Sequence, residues 1–155
     1  MKQCTLCFLR NGDRLLLGMK KRGFGAGKWN GFGGKVHEGE TLEQAAAREL
    51  HEESAVTART LSKVAEITFV FPAKPEWDNL VHVFFADDWD GEPQESEEMR
   101  PQWFSLNDVP FSSMRESDAA WLPRILEGKK YKGEVHFKDD NNGVAKLDLK
   151  ETTGF

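Results

Sequence analysis

Between Gly23 and Ser54 the chain places a glycine-rich, aromatic-studded stretch just ahead of a helix whose start is written in its side chains. That succession limits the folds open to it. Gly23 to Gly34 holds six of the fourteen glycines together with Phe24, Trp29 and Phe32, and aromatics packed among glycines make an ordered binding loop, not a linker. Thr41 followed by Gln44 is a capping box, and Leu42 to Ser54 is rich in Ala, Glu and Leu, so a helix begins there. At 100° per residue, Glu49 and Glu53 lie about 40° apart and Glu52 about 60° to the other side of Glu49, so three carboxylates share an arc of roughly 100°. Like charges four residues apart cost a few tenths of a kcal/mol per pair, and the macrodipole opposes them near a helix C-terminus. A cation is therefore expected to face them. A hard ion such as Mg²⁺ favours oxygen ligands and shares them with substrate phosphates; a solvated acidic face with an Arg48–Glu52 pair is the alternative for these residues in isolation.

At 155 residues the chain is long enough for one domain with a real core and too short for two. Its net charge of −5 argues against a general DNA or RNA coat, but that total hides a division. Residues 1–33 carry seven Lys/Arg against one Asp, residues 34–56 six Glu against two bases, and residues 87–98 seven acids and no base. No run approaches ~18 apolar residues, so no membrane-spanning helix is expected. Arg10 interrupts the N-terminus before a signal core could form, which predicts a cytosolic protein. The only cysteines are Cys4 and Cys7. They lie in an alternating, strand-like segment that puts their sulfurs on opposite faces, and zinc would need two further ligands, so both read as packing residues.

Cys4–Leu9 and Arg14–Met19 read as strands around the hairpin signal Asn11-Gly12. Residues 61–71 and 80–86 read as strands joined by a loop around Pro72, Pro75 and Trp77, and Trp103-Phe104 as a further short strand. Ser117 to Gly128 is a second helix candidate, which Pro123 should kink or restart. Gly133–Lys138 and Val144–Leu149 form a plausible terminal hairpin. Strands mixed with two helices predict a mixed sheet packed by helices.

Gly34, five residues, Glu40, seven residues, then Arg48-Glu49-Leu50-x-Glu52-Glu53-x-Ala55-Val56 resembles the Nudix box, G-x5-E-x7-R-E-U-x-E-E-x-G-U. Six of the seven fixed letters match at full spacing, with Leu50 and Val56 at the aliphatic positions, and a pattern this long is highly specific. The departure is Ala55 in place of glycine. In the family that glycine follows the helix, and a left-handed C-cap would explain it. The run GMKKRGFGAGKWNGFGGKV, the His82-Val83-Phe84 segment, and Glu97-Glu98-Met99-Arg100-Pro101 with Trp103-Phe104 resemble the oxidised purine nucleoside triphosphatase branch, the 8-oxo-dGTP diphosphatase type.

This resemblance implies an α/β/α sandwich around a mixed sheet, a single domain over residues 1–155, and a likeness to monomeric cytoplasmic enzymes without a nucleic-acid or membrane partner. It implies Mg²⁺, for which Mn²⁺ can substitute, held by Glu49, Glu52, Glu53, Glu98 and the Gly33 carbonyl, with Arg48 orienting the glutamates. Water would attack the phosphate chain of a purine nucleoside triphosphate, giving the monophosphate and pyrophosphate, with Glu53 and Glu98 both candidates for the base. Substrates of this branch include 8-oxo-dGTP, 2-oxo-dATP and methylated purine triphosphates. Thr5, Lys20, Phe24, Asn30, Phe32, Gly33, Gly34, Lys35, Phe69 and Trp121 would line the substrate site. Asn30 both donates and accepts, which suits a purine edge, and Phe24, Phe69 and Trp121 could wall the ring. Vertebrate-type members carry Trp-Pro-Asp-Asp where this chain has Arg115-Glu116-Ser117-Asp118, so Arg115 and Ser117 replace the stacking Trp and the first acid. Discrimination among oxidised, methylated and normal purines is expected to shift. Another diphosphate substrate, such as a dinucleoside polyphosphate or nucleotide sugar, and a non-catalytic nucleotide binder are the alternatives; the latter is disfavoured because no box glutamate is missing.

Overall fold

The computed structural model describes residues 1–23 and 25–155. The first hairpin forms as its Asn-Gly turn predicts: β1 (Lys2–Asn11) and β2 (Arg14–Lys20) pair antiparallel, Leu9 opposite Leu16, with Gly12 at φ 60°. The glycine-rich stretch then departs from the loop expected. It contributes two short strands, β3 (Trp29–Asn30) and β4 (Phe32–Lys35), to β2 and β1 respectively. The close approach of β4 to β1 is what the glycines provide. A Cβ on Gly33 would lie 1.9 Å from the Thr5 carbonyl oxygen, a distance at which no side chain fits.

The helix α1 (Leu42–Ser54) starts on the capping box, with Thr41 and Gln44 side chains each accepting from the other's backbone N–H. It ends on Ala55, at φ 66° in the left-handed region, whose N–H donates to His51. Strands β5 (Thr57–Val70), β6 (Asn79–Asp90) and β7 (Met99–Ser105) follow, each longer than its apolar run suggests. Their polar outer ends are held by cross-strand pairs such as Arg59 with Asp88 and Asp90. The helix α2 (Glu116–Leu126) continues through Pro123 as one helix and does not restart there. Trp121 and Leu122 before the proline and Ile125 after it are fully buried, so packing on the sheet outweighs the lost backbone bond. Strands β8 (Tyr131–Phe137) and β9 (Val144–Glu151) close the chain as the terminal hairpin.

The strands lie in the order β3-β2-β1-β6-β5-β8-β9, with β4 beside β1 and β7 beside β2. The sheet is mixed, because β1–β6 and β5–β8 are parallel. One core joins Phe8, Val83 and Ile67 to Trp121 and Ile125 of α2; the other joins Cys7, Phe32 and Phe84 to Ala46 and Leu50 of α1. The helices therefore cover opposite faces, and the alternation along β1 sends Cys4 and Cys7 to different cores.

Candidate active site

The acidic arc of α1 is organised by Arg48. Its Nε and one terminal nitrogen donate to both oxygens of Glu40 at 2.7 and 3.0 Å, while its other nitrogen donates to Glu49 at 2.8 Å and reaches Glu52 at 3.3 Å. This fork holds the Glu40 carboxyl down to about 2, helped by the His37 N–H, so Glu40 serves as the arginine's anchor. Glu53 has a different setting. Its carboxyl is buried and accepts from the Gly33 N–H at 2.8 Å. Burial, then the charges of Glu49 and Glu98, push it up to about 8 against the opposing pull of Gly33 and Lys20. Glu98 reaches this group from the segment before β7, where Arg22 Nε donates to it at 2.9 Å and Lys20 lies 4.0 Å away.

Across β4 from this helix lies a cavity of about 550 Å³, within the range of small-molecule sites. Gly33 and Gly34 form the partition: both line the cavity, and on the helix side the Glu49 carboxyl sits 2.7 Å from where Gly34 would carry a Cβ. Thr5, Asn30, Phe69, Arg115 and Asp118 also line it. Asn30 Oδ1 accepts from the Gly31 N–H at 2.8 Å, leaving its amide donors. Asp118 Oδ1 accepts from the Trp121 indole at 3.1 Å, and burial raises its carboxyl to about 6 in spite of Arg115 and that indole.

Other expected substrate residues lie outside the cavity lining. Phe32 is in the core beneath α1, Trp121 is fully buried behind Asp118, and Ser117 is buried in the first turn of α2. Lys35 is exposed and offers its carbonyl to Arg48 at 3.1 Å, Lys20 faces Glu98, and Phe24 is outside the described residues. Sequence reasoning missed Cys4, Leu6, Phe71, Trp77 and Asn79 of the wall, along with Lys2 and Val81. For Cys4 and Leu6 the signal was available, since strand alternation puts them on one face. Phe71 and Trp77 come from the bend between β5 and β6, where no periodicity points inward, and Asn79 opens β6.

The family model for the NUDIX domain matches residues 2–125. The chain belongs to the Nudix family. This Nudix chain is 50% identical to the oxidized purine nucleoside triphosphate hydrolase of Mus musculus over 151 residues, covering 97% of the chain and 96% of the relative. It is 54% identical to the protein of the same name from Danio rerio over 137 residues, covering 88% and 87%. The crystal structure of a MutT protein from Bacillus halodurans superposes with a TM-score of 0.83 at 23% identity, covering 97% of this chain and 98% of that one, which speaks to the fold. Enzymes of this family generally need a divalent metal. Among the described residues no three His, Cys, Asp or Glu side chains stand together as a ready-made cage; the glutamates instead hold Arg48, Gly33 and Arg22. The donor set fits a hard cation all the same, since buried Glu53 meets the fields of Glu49 and Glu98. Among the described residues no helix is long and apolar enough to cross a membrane.

Proposed function

We propose that this Nudix chain hydrolyses oxidised purine nucleoside triphosphates, 8-oxo-dGTP among them, to the nucleoside monophosphate and pyrophosphate. The observation that carries this reading is the glycine partition: Gly33 and Gly34 are at once the wall of the cavity and the floor on which Glu53 and Glu49 rest. A base lodged in the cavity puts its phosphate chain beside the acidic helix. The identity to named oxidized purine nucleoside triphosphate hydrolases over nearly the whole chain supports the same substrate class.

Glu49, Glu52, Glu53 and Glu98, with the Gly33 carbonyl, would hold Mg²⁺ or Mn²⁺, which when bound offsets the charge of the polyphosphate and polarises phosphorus towards attack. Arg48 keeps Glu49 and Glu52 in place. Glu53, with one oxygen held by Gly33, keeps its second oxygen to take the proton of the attacking water. Asn30 and Asp118 orient the base, and Phe69 walls it. On this reading the chain works as a single-domain monomer, since cavity and glutamates come from one polypeptide.

The test is pyrophosphate release from a panel of nucleoside triphosphates and a dinucleoside polyphosphate in Mg²⁺. Release from 8-oxo-dGTP is expected, and Glu53→Gln should lower kcat by about 100-fold or more. Turnover of the dinucleoside polyphosphate alone would overturn the substrate class, and a fully active Glu53→Gln would overturn the role of Glu53.

A further inference from the structure

Glu98 is the one proposed carboxylate ligand that does not stand on α1; it sits at the end of the segment leading into β7. Its backbone is fastened there. The Glu98 carbonyl accepts from the Lys21 N–H at 2.9 Å, and Met99, next in the chain, is paired with Lys20 across β2 and β7. Neither bond fixes the Glu98 side chain, and an unrestrained glutamate loses its rotamer freedom when it takes a ligand.

Arg22 supplies the restraint. Its Nε donates to Glu98 Oε1 at 2.9 Å, and its Nη2 lies 2.8 Å from the same oxygen, so two nitrogens of one guanidinium close on one atom. Nη2 also donates to Glu97 Oε2 at 3.2 Å, which gives the guanidinium a second anchor. Among the described residues no other side chain hydrogen-bonds the Glu98 carboxyl; Lys20 Nζ stands 4.0 Å from Oε2. Oε2 thus keeps its lone pairs for a cation. Glu98 and Lys20 both act on the buried Glu53 carboxyl, with opposite sign, so the clasped glutamate is within electrostatic reach of α1. The ion pair itself adds little to stability, since 59% of the Arg22 side chain and 41% of Glu98 meet solvent. Its effect is on direction: a carboxylate already held by an outer hydrogen bond loses less freedom on taking a metal.

Resting on the reading that Glu98 is a ligand of the divalent cation, we propose that Arg22 is a positioning residue for it, holding Oε1 so that Oε2 is presented to the ion. Charge alone would act with the opposite sign. A guanidinium beside the site repels a divalent cation, so its removal would tighten binding. At this exposure water and salt weaken that repulsion, whereas the clasp on Glu98 acts by contact.

The test is the Mn²⁺ affinity of the nucleotide-free protein, read from the electron paramagnetic resonance of the free ion. Wild type is compared with Arg22→Gln, Arg22→Lys, Glu98→Gln and the double variant Arg22→Gln/Glu98→Gln. Arg22→Gln should raise the Mn²⁺ Kd by about 10-fold, at the low end of what losing an outer hydrogen bond to a metal ligand costs. Arg22→Lys keeps the charge without the fork and should fall between the two. In the Glu98→Gln background, Arg22→Gln should change Kd by less than about twofold, because it acts through that carboxylate. Arg22→Gln binding Mn²⁺ as tightly as wild type, or more tightly, would overturn the proposal. So would a loss of the same size that persists without the Glu98 carboxylate. An unchanged Kd in Glu98→Gln would remove Glu98 from the ligands and the role of Arg22 with it. Weakened binding in Glu98→Gln beside intact binding in Arg22→Gln would leave the ligand reading standing and sink the positioning role alone.

Discussion

Asp118 carries a burden that its neighbours lighten without removing. Folding takes its carboxyl out of water, and the Trp121 indole and Arg115 return only part of the lost solvation, so its pKa rises from 3.8 to about 6. The folded state therefore prefers the protonated acid. The stability this gives is fully present below about pH 4 and is lost as pH rises through about 6. Asp118→Asn, whose oxygen can still accept from Trp121, should escape that loss. Its stability relative to wild type is expected to grow between pH 4 and pH 7.5 by at most about 3 kcal/mol, read from urea unfolding at each pH. A difference that does not change with pH would show that Asp118 is not strained by its charge. Cys7, in the core beneath α1, shows the same cause with no chemistry attached to it. Burial alone pushes its thiol up to about 12, which leaves it unreactive.

At the scale of elements, α1 shows how much of a site can be written locally. Its capping box, its acidic arc and its left-handed stop at Ala55 are all short-range features, and all were legible in the sequence because helical geometry depends on spacing alone. Ala55 tolerates φ 66° although glycine would adopt it freely. Ala55→Gly should thus stabilise the protein by about 0.5–1 kcal/mol, the relief of the left-handed penalty less the added freedom of the unfolded chain. A shift in the urea midpoint at constant slope is the measure, and a lower midpoint would contradict it. The strands were harder to read at their edges. β3 and β4 are four residues or fewer, too short for a period to show, and β4 pairs with β1 because Gly33 lets two backbones approach where any side chain would collide. Likewise α2 ignores Pro123, since its partners across the sheet decide the outcome and its own propensity does not.

For the whole molecule, the segregated charge of the chain becomes a set of closures. Lys21 meets Glu95, Arg22 meets Glu97 and Glu98, and Lys20 stands by Glu98, so the basic stretch before the glycine-rich segment is fastened to the acidic stretch before β7. This accounts for acids that the box leaves unexplained. Beside these closures stand Glu49, held by Arg48, and Glu53, buried against the Gly33 N–H. A divalent cation at ten times its Kd should stabilise the protein by about 1.4 kcal/mol, or roughly 3–6 °C in Tm for a chain of this size. Thermal unfolding in Mg²⁺ against a chelator checks this, and Glu53→Gln should flatten the response. A Tm indifferent to the ion in the wild type would remove these glutamates from consideration as its ligands.

By itself the sequence determined the Nudix class, the acidic helix with its caps, and the first and last hairpins, because each rests on residue types at fixed short spacing. The tertiary structure alone decided which side chains share the cavity. Phe71 and Trp77 enter it from the bend between β5 and β6 and Asn79 from the start of β6, Ser117 and Trp121 are buried away from it, and Arg115, over Phe137, lines it together with Asp118. Such meetings depend on how strands distant in sequence register against one another, and no local period records that register.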